Sequence, residues 1–199
     1  RKNIWIATSN GINCIDYKTK KITRFYPKSI NKECTTNIIN RLLKHSDGNV
    51  YAFCNRSVFK CSMNQAVETV FPDIAIPSPT YSVAQAPDKD IYIGTESNGL
   101  YIYSENWKLK KHVPIDGIIA TILPDNNGDI WLGLDETGIC LFNKNKQTFT
   151  WLHKDNTNLN NNSIRTFVSY GDSSILVGTF RGLNILNKKE LTITPANIN

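Results

Sequence analysis

Asp135 and Glu136 are adjacent carboxylates in the stretch LGLDETGIC, and Glu96 holds a related place in GTESNG. General acid–base catalysis needs two carboxylates at a fixed separation, normally with one held protonated by burial. Residues packed between Thr, Gly and other polar side chains in a tight turn do not meet that condition, so these acids read as solvated. The three histidines, His45, His112 and His153, fall at different repeat positions and show no HExxH or HxH spacing. A metal site is therefore not expected. The glycines stand singly, without GxGxxG, GxxxxGK[ST] or GxSxG, which leaves no phosphate cradle and no nucleophile elbow. No catalytic residue, metal or cofactor is expected. Five cysteines, Cys14, Cys34, Cys54, Cys61 and Cys140, give an odd count without CxxC spacing. They read as small buried hydrophobes.

These residues are positioned by a repeat. Five segments match one another: IWIATSNGINCIDYKTKKITRFYP from Ile4, VYAFCNRSVFKCSMNQAVETVF from Val50, IYIGTESNGLYIYSENWKLKKHVP from Ile91, IWLGLDETGICLFNKNKQTFTWLH from Ile130 and ILVGTFRGLNILNKKELTITP from Ile175. Trp5, Tyr51, Tyr92, Trp131 and Leu176 share one position, spaced 46, 41, 39 and 45 residues apart. Each unit is a β-branched or aromatic run, a turn, a second run, a polar turn and a third run. Gly11, Gly99, Gly138 and Gly182 share the first turn, where positive φ is called for; Ser57 stands there in the second unit, which predicts a different turn. Ahead of the last four units lies a further apolar run ending in DG, PDKD, DNNGD or GDSS.

Four antiparallel strands per repeat of this length mark β-propeller blades. The expected fold is all-β: a β-propeller fragment of four full four-stranded antiparallel blades, 36–73, 80–114, 118–154 and 163–195, and a three-stranded partial blade, 1–27, within one domain over 1–199. The innermost strand of the first blade is expected to lie upstream, or would have to come from elsewhere to close the ring. The only methionine is Met63, so the chain reads as a processed product or a piece of a longer protein. An unclosed arc exposes blade faces, which predicts a homodimer or other self-association. The 199 residues are 40% hydrophobic and 20% charged, a globular composition, and no apolar run is long enough for a membrane span.

The net charge is +6, and the lysines recur at the turn between the third and fourth strands: Lys18, Lys20 and Lys21; Lys108, Lys110 and Lys111; Lys144 and Lys146; Lys188 and Lys189. One rim should be basic, as a solubilising guard of edge strands or as a surface for an acidic neighbouring domain. Nucleic acid is not expected, because no stacking aromatics are interleaved with these lysines.

The pattern D-x-x-G-x-[IL]-W-[IL]-G-T-x-x-x-G-[IL]-x-x-[FY], followed by a loop such as NTNLNNNSIRTF, resembles the regulator-propeller repeat of hybrid two-component system sensors, Bacteroidetes type. It stands here as DNNGDIWLGLDETGICLF, PDKDIYIGTESNGLYIY and IWIATSNGINCID. The second unit, VYAFCNRSVFK, departs most, and Leu176 replaces the aromatic in the fifth. The resemblance implies a periplasmic sensor region of an inner-membrane protein, with a histidine kinase elsewhere in the parent, an oligosaccharide signal, and neighbouring domains and further blades as partners. The alternative is a generic propeller scaffold for protein–protein contact without a small ligand.

By analogy with other propellers, a ligand is expected at the end formed by the turns between second and third strands and the loops joining blades. The candidate ligand-binding residues there are Asn10, Arg56, Glu96, Asn98, Asp135, Glu136, Phe180 and Arg181. Amides, carboxylates and guanidinium groups suit sugar hydroxyls, and the Phe180 ring suits a pyranose face. Trp5 and Trp131 are expected to fill space between blades, and Trp107 to cover a rim.

Overall fold

The computed structural model describes residues 3–31, 34–62, 64, 66–70, 76 and 78–196. The end expected for the second blade at residue 73 and the first two residues of the partial blade lie outside them. Strands β1 (Asn3–Thr8), β2 (Gly11–Asp16) and β3 (Ile22–Phe25) form a three-stranded sheet. A short helical turn, α1 (Pro27–Ile30), leads to four four-stranded sheets, each antiparallel and in chain order. They are β4 (Arg41–Lys44) to β7 (Val67–Val70), with β5 (Val50–Cys54) and β6 (Ser57–Cys61) between; and β8 (Thr80–Gln85), β9 (Ile91–Thr95), β10 (Leu100–Tyr103) and β11 (Leu109–Val113). The fourth holds β12 (Ile119–Pro124), β13 (Asp129–Leu134), β14 (Gly138–Asn143) and β15 (Thr148–Leu152). The fifth holds β16 (Ile164–Tyr170), β17 (Ser174–Thr179), β18 (Gly182–Asn187) and β19 (Ile193–Pro195). This is a partial propeller, one incomplete blade followed by four complete ones.

The repeat is also a repeat of register. Trp5, Tyr51, Tyr92, Trp131 and Leu176 pair respectively with Cys14, Lys60, Ile102, Leu141 and Ile185. Each of those partners lies three residues beyond the turn position held by Gly11, Ser57, Gly99, Gly138 or Gly182.

Among the described residues the core is divided into four clusters, one between each pair of successive blades. Trp5 and Ala7 of the first sheet pack on Ile12, Ala52, Cys54 and Phe59. Tyr51 and Phe53 of the second blade meet Ile91, Ile93 and Tyr103 of the third. Tyr92 and Leu100 meet Ile119, Leu132 and Cys140, and Trp131 and Ile139 meet Ile164, Val177 and Leu186. The repeat aromatics therefore fill blade interfaces, as expected of Trp5 and Trp131. The first strands β4, β8, β12 and β16 pack successively against one another and form the inner wall of the arc. Gly133 shows how close that approach is: a Cβ there would lie 2.5 Å from Ile164 Cγ2 of the next blade.

Among the described residues no cluster joins the first sheet to the fifth. The outer face of the first sheet presents Ile4, Ile6 and Ile22 to solvent, and that of the fifth presents Val168 and Tyr170. All five cysteines are buried and free. Trp107 is not a rim residue: it is 7% exposed and packs 4.7 Å from Tyr51 and 5.8 Å from the His45 ring, between the second and third blades. Its φ of +60°, unusual for a residue with a Cβ, turns the side chain back over the blade edge.

Candidate functional site

The five turns between second and third strands lie at one end of the arc, because each is hydrogen-bonded to a segment joining blades. Gly11 N–H donates to the Asn37 carbonyl (2.8 Å), Thr80 N–H to Asn55 (3.1 Å), and Gly138 N–H to Asn162 (2.8 Å). Glu96, Asp135 and Phe180 N–H groups bond Pro79, Ile118 and Ser163 ahead of their own inner strands. The expected shared face is thus built by backbone bonds, and the candidate side chains ride on it.

Within the turns a threonine sets the local geometry in three blades. Thr8 Oγ1 donates to the Gly11 carbonyl (2.8 Å) and accepts from Asn10 N–H (3.2 Å). Thr95 does the same for Gly99 and Asn98, and Thr179 for Gly182 and Arg181. Asn10, Asn98 and Arg181 consequently occupy the same place in three blades, one residue before the glycine. Arg56 holds that place in the second blade, where the positive φ has moved to Asn55 (+52°), so the turn is indeed of another type. In the fourth blade the turn is one residue longer than in the first and fifth, and Glu136 (φ +66°) carries the left-handed conformation. Gly138 is required as well: with φ at +99°, a Cβ would lie 2.5 Å from the Leu152 carbonyl oxygen.

The eight candidates do not form one hydrogen-bonded cluster among the described residues. Asn10 Oδ1 accepts from Asn37 Nδ2 (3.4 Å), at the junction of the first two blades. Asn98 Oδ1 accepts from the Tyr101 hydroxyl (3.0 Å), and its carbonyl from His112 Nε2 (2.6 Å). Glu136 lines a small depression with Lys154, Asn161, Asn162 and Ser163. Arg56 and Glu96 are exposed in turns of their own.

Asp135 and Phe180, on turns of different blades, are linked through Arg165, which the sequence did not single out. Arg165 Nη1 lies 3.1 Å from Asp135 Oδ2 across the blade junction, and its guanidinium stands 5.5 Å from the centre of the Phe180 ring. The cation at Phe180 is therefore Arg165. Phe180 is 71% exposed, and Asp135 Oδ1 is buried without a partner among the described residues. Arg165 is aimed by a β-bulge. The pairing of β16 with β17 slips between Ile164 and Thr166, leaving Arg165 outside the ladder. Tyr81 and Ala120 occupy the same slip in the third and fourth blades. A guanidinium, a carboxylate and a flat ring at one blade junction can orient a polar ligand by directed hydrogen bonds and ring contact.

The opposite end carries the lysines, and they are partly neutralised. Lys144 Nζ lies 2.6 Å from both Asp88 and Asp90 of the preceding blade, and Lys188 Nζ 3.0 Å from Asp125. Lys110 binds Asp90 within its own blade (2.7 Å). Burial alone would lower the Lys144 pKa; the two carboxylates outweigh it and raise it. Among the described residues no group of three or more His, Cys, Asp or Glu lies together as a metal site would require. No helix there is long and apolar enough to cross a membrane.

No protein-family model matches the chain, and neither does any curated protein sequence. Solved structures do resemble it. The extracellular domain of BT4673 from B. thetaiotaomicron, assigned to a hybrid two-component system, superposes with a TM-score of 0.78 at 14% identity, over 99% of this chain and 30% of that one. The extracellular domain of BT3049 from the same organism, also assigned to a hybrid two-component system, gives 0.73 at 24% identity, over 99% of this chain and 27% of that one. A catalytically inactive virginiamycin B lyase from Staphylococcus aureus gives 0.72 at 18% identity, over 98% and 66%. This chain spans less than a third of either extracellular domain. It shares its fold with the extracellular domains of B. thetaiotaomicron two-component regulators.

Proposed function

We propose that the chain is a non-catalytic, ligand-binding segment of the periplasmic sensor region of a hybrid two-component regulator, and that its ligand is an oligosaccharide. The observation that carries this reading is the agreement of fold, over 99% of the chain, with two extracellular domains assigned to such systems. The turn face supports the ligand class. Asn10, Asn98 and Arg181 recur at one turn position, and Asp135, Arg165 and Phe180 stand together at the last junction. These groups offer hydrogen bonds in several directions beside an exposed ring, as a polyhydroxylated ring requires. Transmission would pass through neighbouring blades and domains to a membrane-linked kinase, because each blade contacts only its neighbours.

The test is thermal unfolding of the chain against a panel of plant and host oligosaccharides. Ligand at 100 times its Kd stabilises the folded state by about 2.7 kcal/mol. A shift with one glycan class, reduced in Arg165→Ala, supports the turn face. Silence across the panel favours a scaffold for protein contact.

A further inference from the structure

Between the third and fourth blades, at the rim of the turn face, lies a cleft of about 380 Å³ lined by Pro114, Ile115, Asp116, Thr137, Phe149 and Trp151. Its volume falls within the range of small-ligand pockets. Pro114 to Asp116 belong to the segment joining the two blades, Thr137 to the turn of the fourth, and Phe149 and Trp151 to its outermost strand β15. Two residues apart on one strand, the two aromatics face the same side. They stand 42% and 37% exposed. Phe149 is held flat from beneath by Phe142, with ring centres 5.0 Å apart and planes 19° apart. The Trp151 carbonyl accepts from Asn156 Nδ2 (2.9 Å), which fixes the strand end.

The other blades serve as internal controls. The cross-strand partner of the second residue after the turn position is Arg24, Thr69, His112, Trp151 and Pro195 in the five blades. Only the fourth blade places an indole there, so the propeller architecture does not demand it. In the third blade the equivalent His112 is used up, stacked 4.4 Å from Tyr101 and bonded to Asn98. Among the described residues the Trp151 indole has no such stacking or hydrogen-bond partner. A platform of two rings, bordered by the Asp116 carboxylate and the Thr137 hydroxyl, matches a pyranose, which has C–H bonds on its faces and hydroxyls at its edge.

We infer that this cleft is a pyranose-binding subsite, with Trp151 and Phe149 as the stacking platform and Asp116 and Thr137 as hydroxyl partners. The inference takes its ligand class from the oligosaccharide reading above and adds a location distinct from the Asp135–Arg165–Phe180 junction. Thr137 adjoins Asp135 and Glu136, so a linear glycan could run from the cleft onto the turn face.

The test is titration of the chain with hexasaccharides of glucose, xylose, mannose and galactose, followed by tryptophan fluorescence and calorimetry. Saturable binding of at least one is expected, with a fluorescence change that disappears in Trp151→Phe. Affinity should fall roughly tenfold or more in Trp151→Ala, severalfold in Asp116→Asn, and be partly kept in Trp151→Phe, which also guards against misfolding of the alanine variant. Binding undiminished in Trp151→Ala and Asp116→Asn overturns the cleft and leaves the oligosaccharide reading standing. No saturable binding by any of the four overturns both.

Discussion

The Lys144 ammonium lies 2.6 Å from the carboxylate of Asp90, joining the outer turn of one blade to the inner turn of the blade before it. Asp90 is almost completely buried and also receives Lys110, so two cations compensate one desolvated acid. Lys188 and Asp125 repeat the contact one blade further on. What reads in the sequence as a solvated basic rim is in part a set of fasteners between blades.

Among the described residues, removing Lys144 leaves Asp90 with one cationic partner, the half-exposed Lys110. Lys144→Ala is expected to destabilise the chain by about 1–3 kcal/mol, read as a lower urea midpoint. The exposed Lys189→Ala should change the midpoint by less than about 0.5 kcal/mol. Equal effects would mean that the bridge contributes nothing beyond general charge.

Gly133 meets the inner strand of the next blade with no room for a methyl group. Gly133→Ala should cost about 1–3 kcal/mol through overpacking against Ile164. Ile164→Ala, which removes the clashing Cγ2 methyl, should cost less in the Gly133→Ala background than in wild type, a coupling that a purely local strand effect would not give.

Burial disfavours the charged form of Asp47, but hydrogen bonds from Asn49, Tyr51 and His45 outweigh it and bring its pKa to about 2. The Asn49 N–H and the Tyr51 hydroxyl each approach to 2.8 Å. A carboxyl whose pKa is lower in the folded state contributes stability in full above its unfolded value of 3.8, lost as pH falls towards 2. The loss should amount to about 1–2 kcal/mol after allowing for its partial exposure. Unfolding midpoints of wild type and Asp47→Asn should therefore converge between pH 4 and pH 2.

Burial raises the thiol pKa of Cys54, Cys61 and Cys140 to about 12, so each is protonated at neutral pH. A disulfide-exchange reagent at pH 8 should label none of the five cysteines in the folded chain and all five in guanidinium. Rapid labelling of any one under native conditions would contradict its burial.

Ile4, Ile6 and Ile22 on one terminal sheet and Val168 and Tyr170 on the other leave two apolar faces in water. Sedimentation should show concentration-dependent self-association of the chain. Ile6→Lys combined with Val168→Lys should abolish it; an unchanged distribution would place any association elsewhere.

The blades were legible because their signal is local. The Trp5, Tyr51, Tyr92, Trp131 and Leu176 position and the turn glycines recur within each unit, and strand register follows from them. The turn face was legible for the same reason, since Asn10, Asn98 and Arg181 occupy repeated places. Arg165 was missed because its direction depends on a register slip, which leaves no mark in the residue types. Lys144 and Trp107 were misjudged because their partners lie on the preceding blade. Lys144 and Asp90 are 54 residues apart, a distance that the repeat bridges only once the blades are stacked.

A core parcelled into four separate seams has no single centre to lose. Each seam can open without unpacking the others, so stability passes along the arc like load along a row of bricks. Amide hydrogen exchange should grade from fast in the outermost sheets to slow in the third and fourth blades. Such an arc can gain or shed a whole blade over evolution at the cost of one seam, and a ligand seated across one seam stiffens only its immediate neighbours.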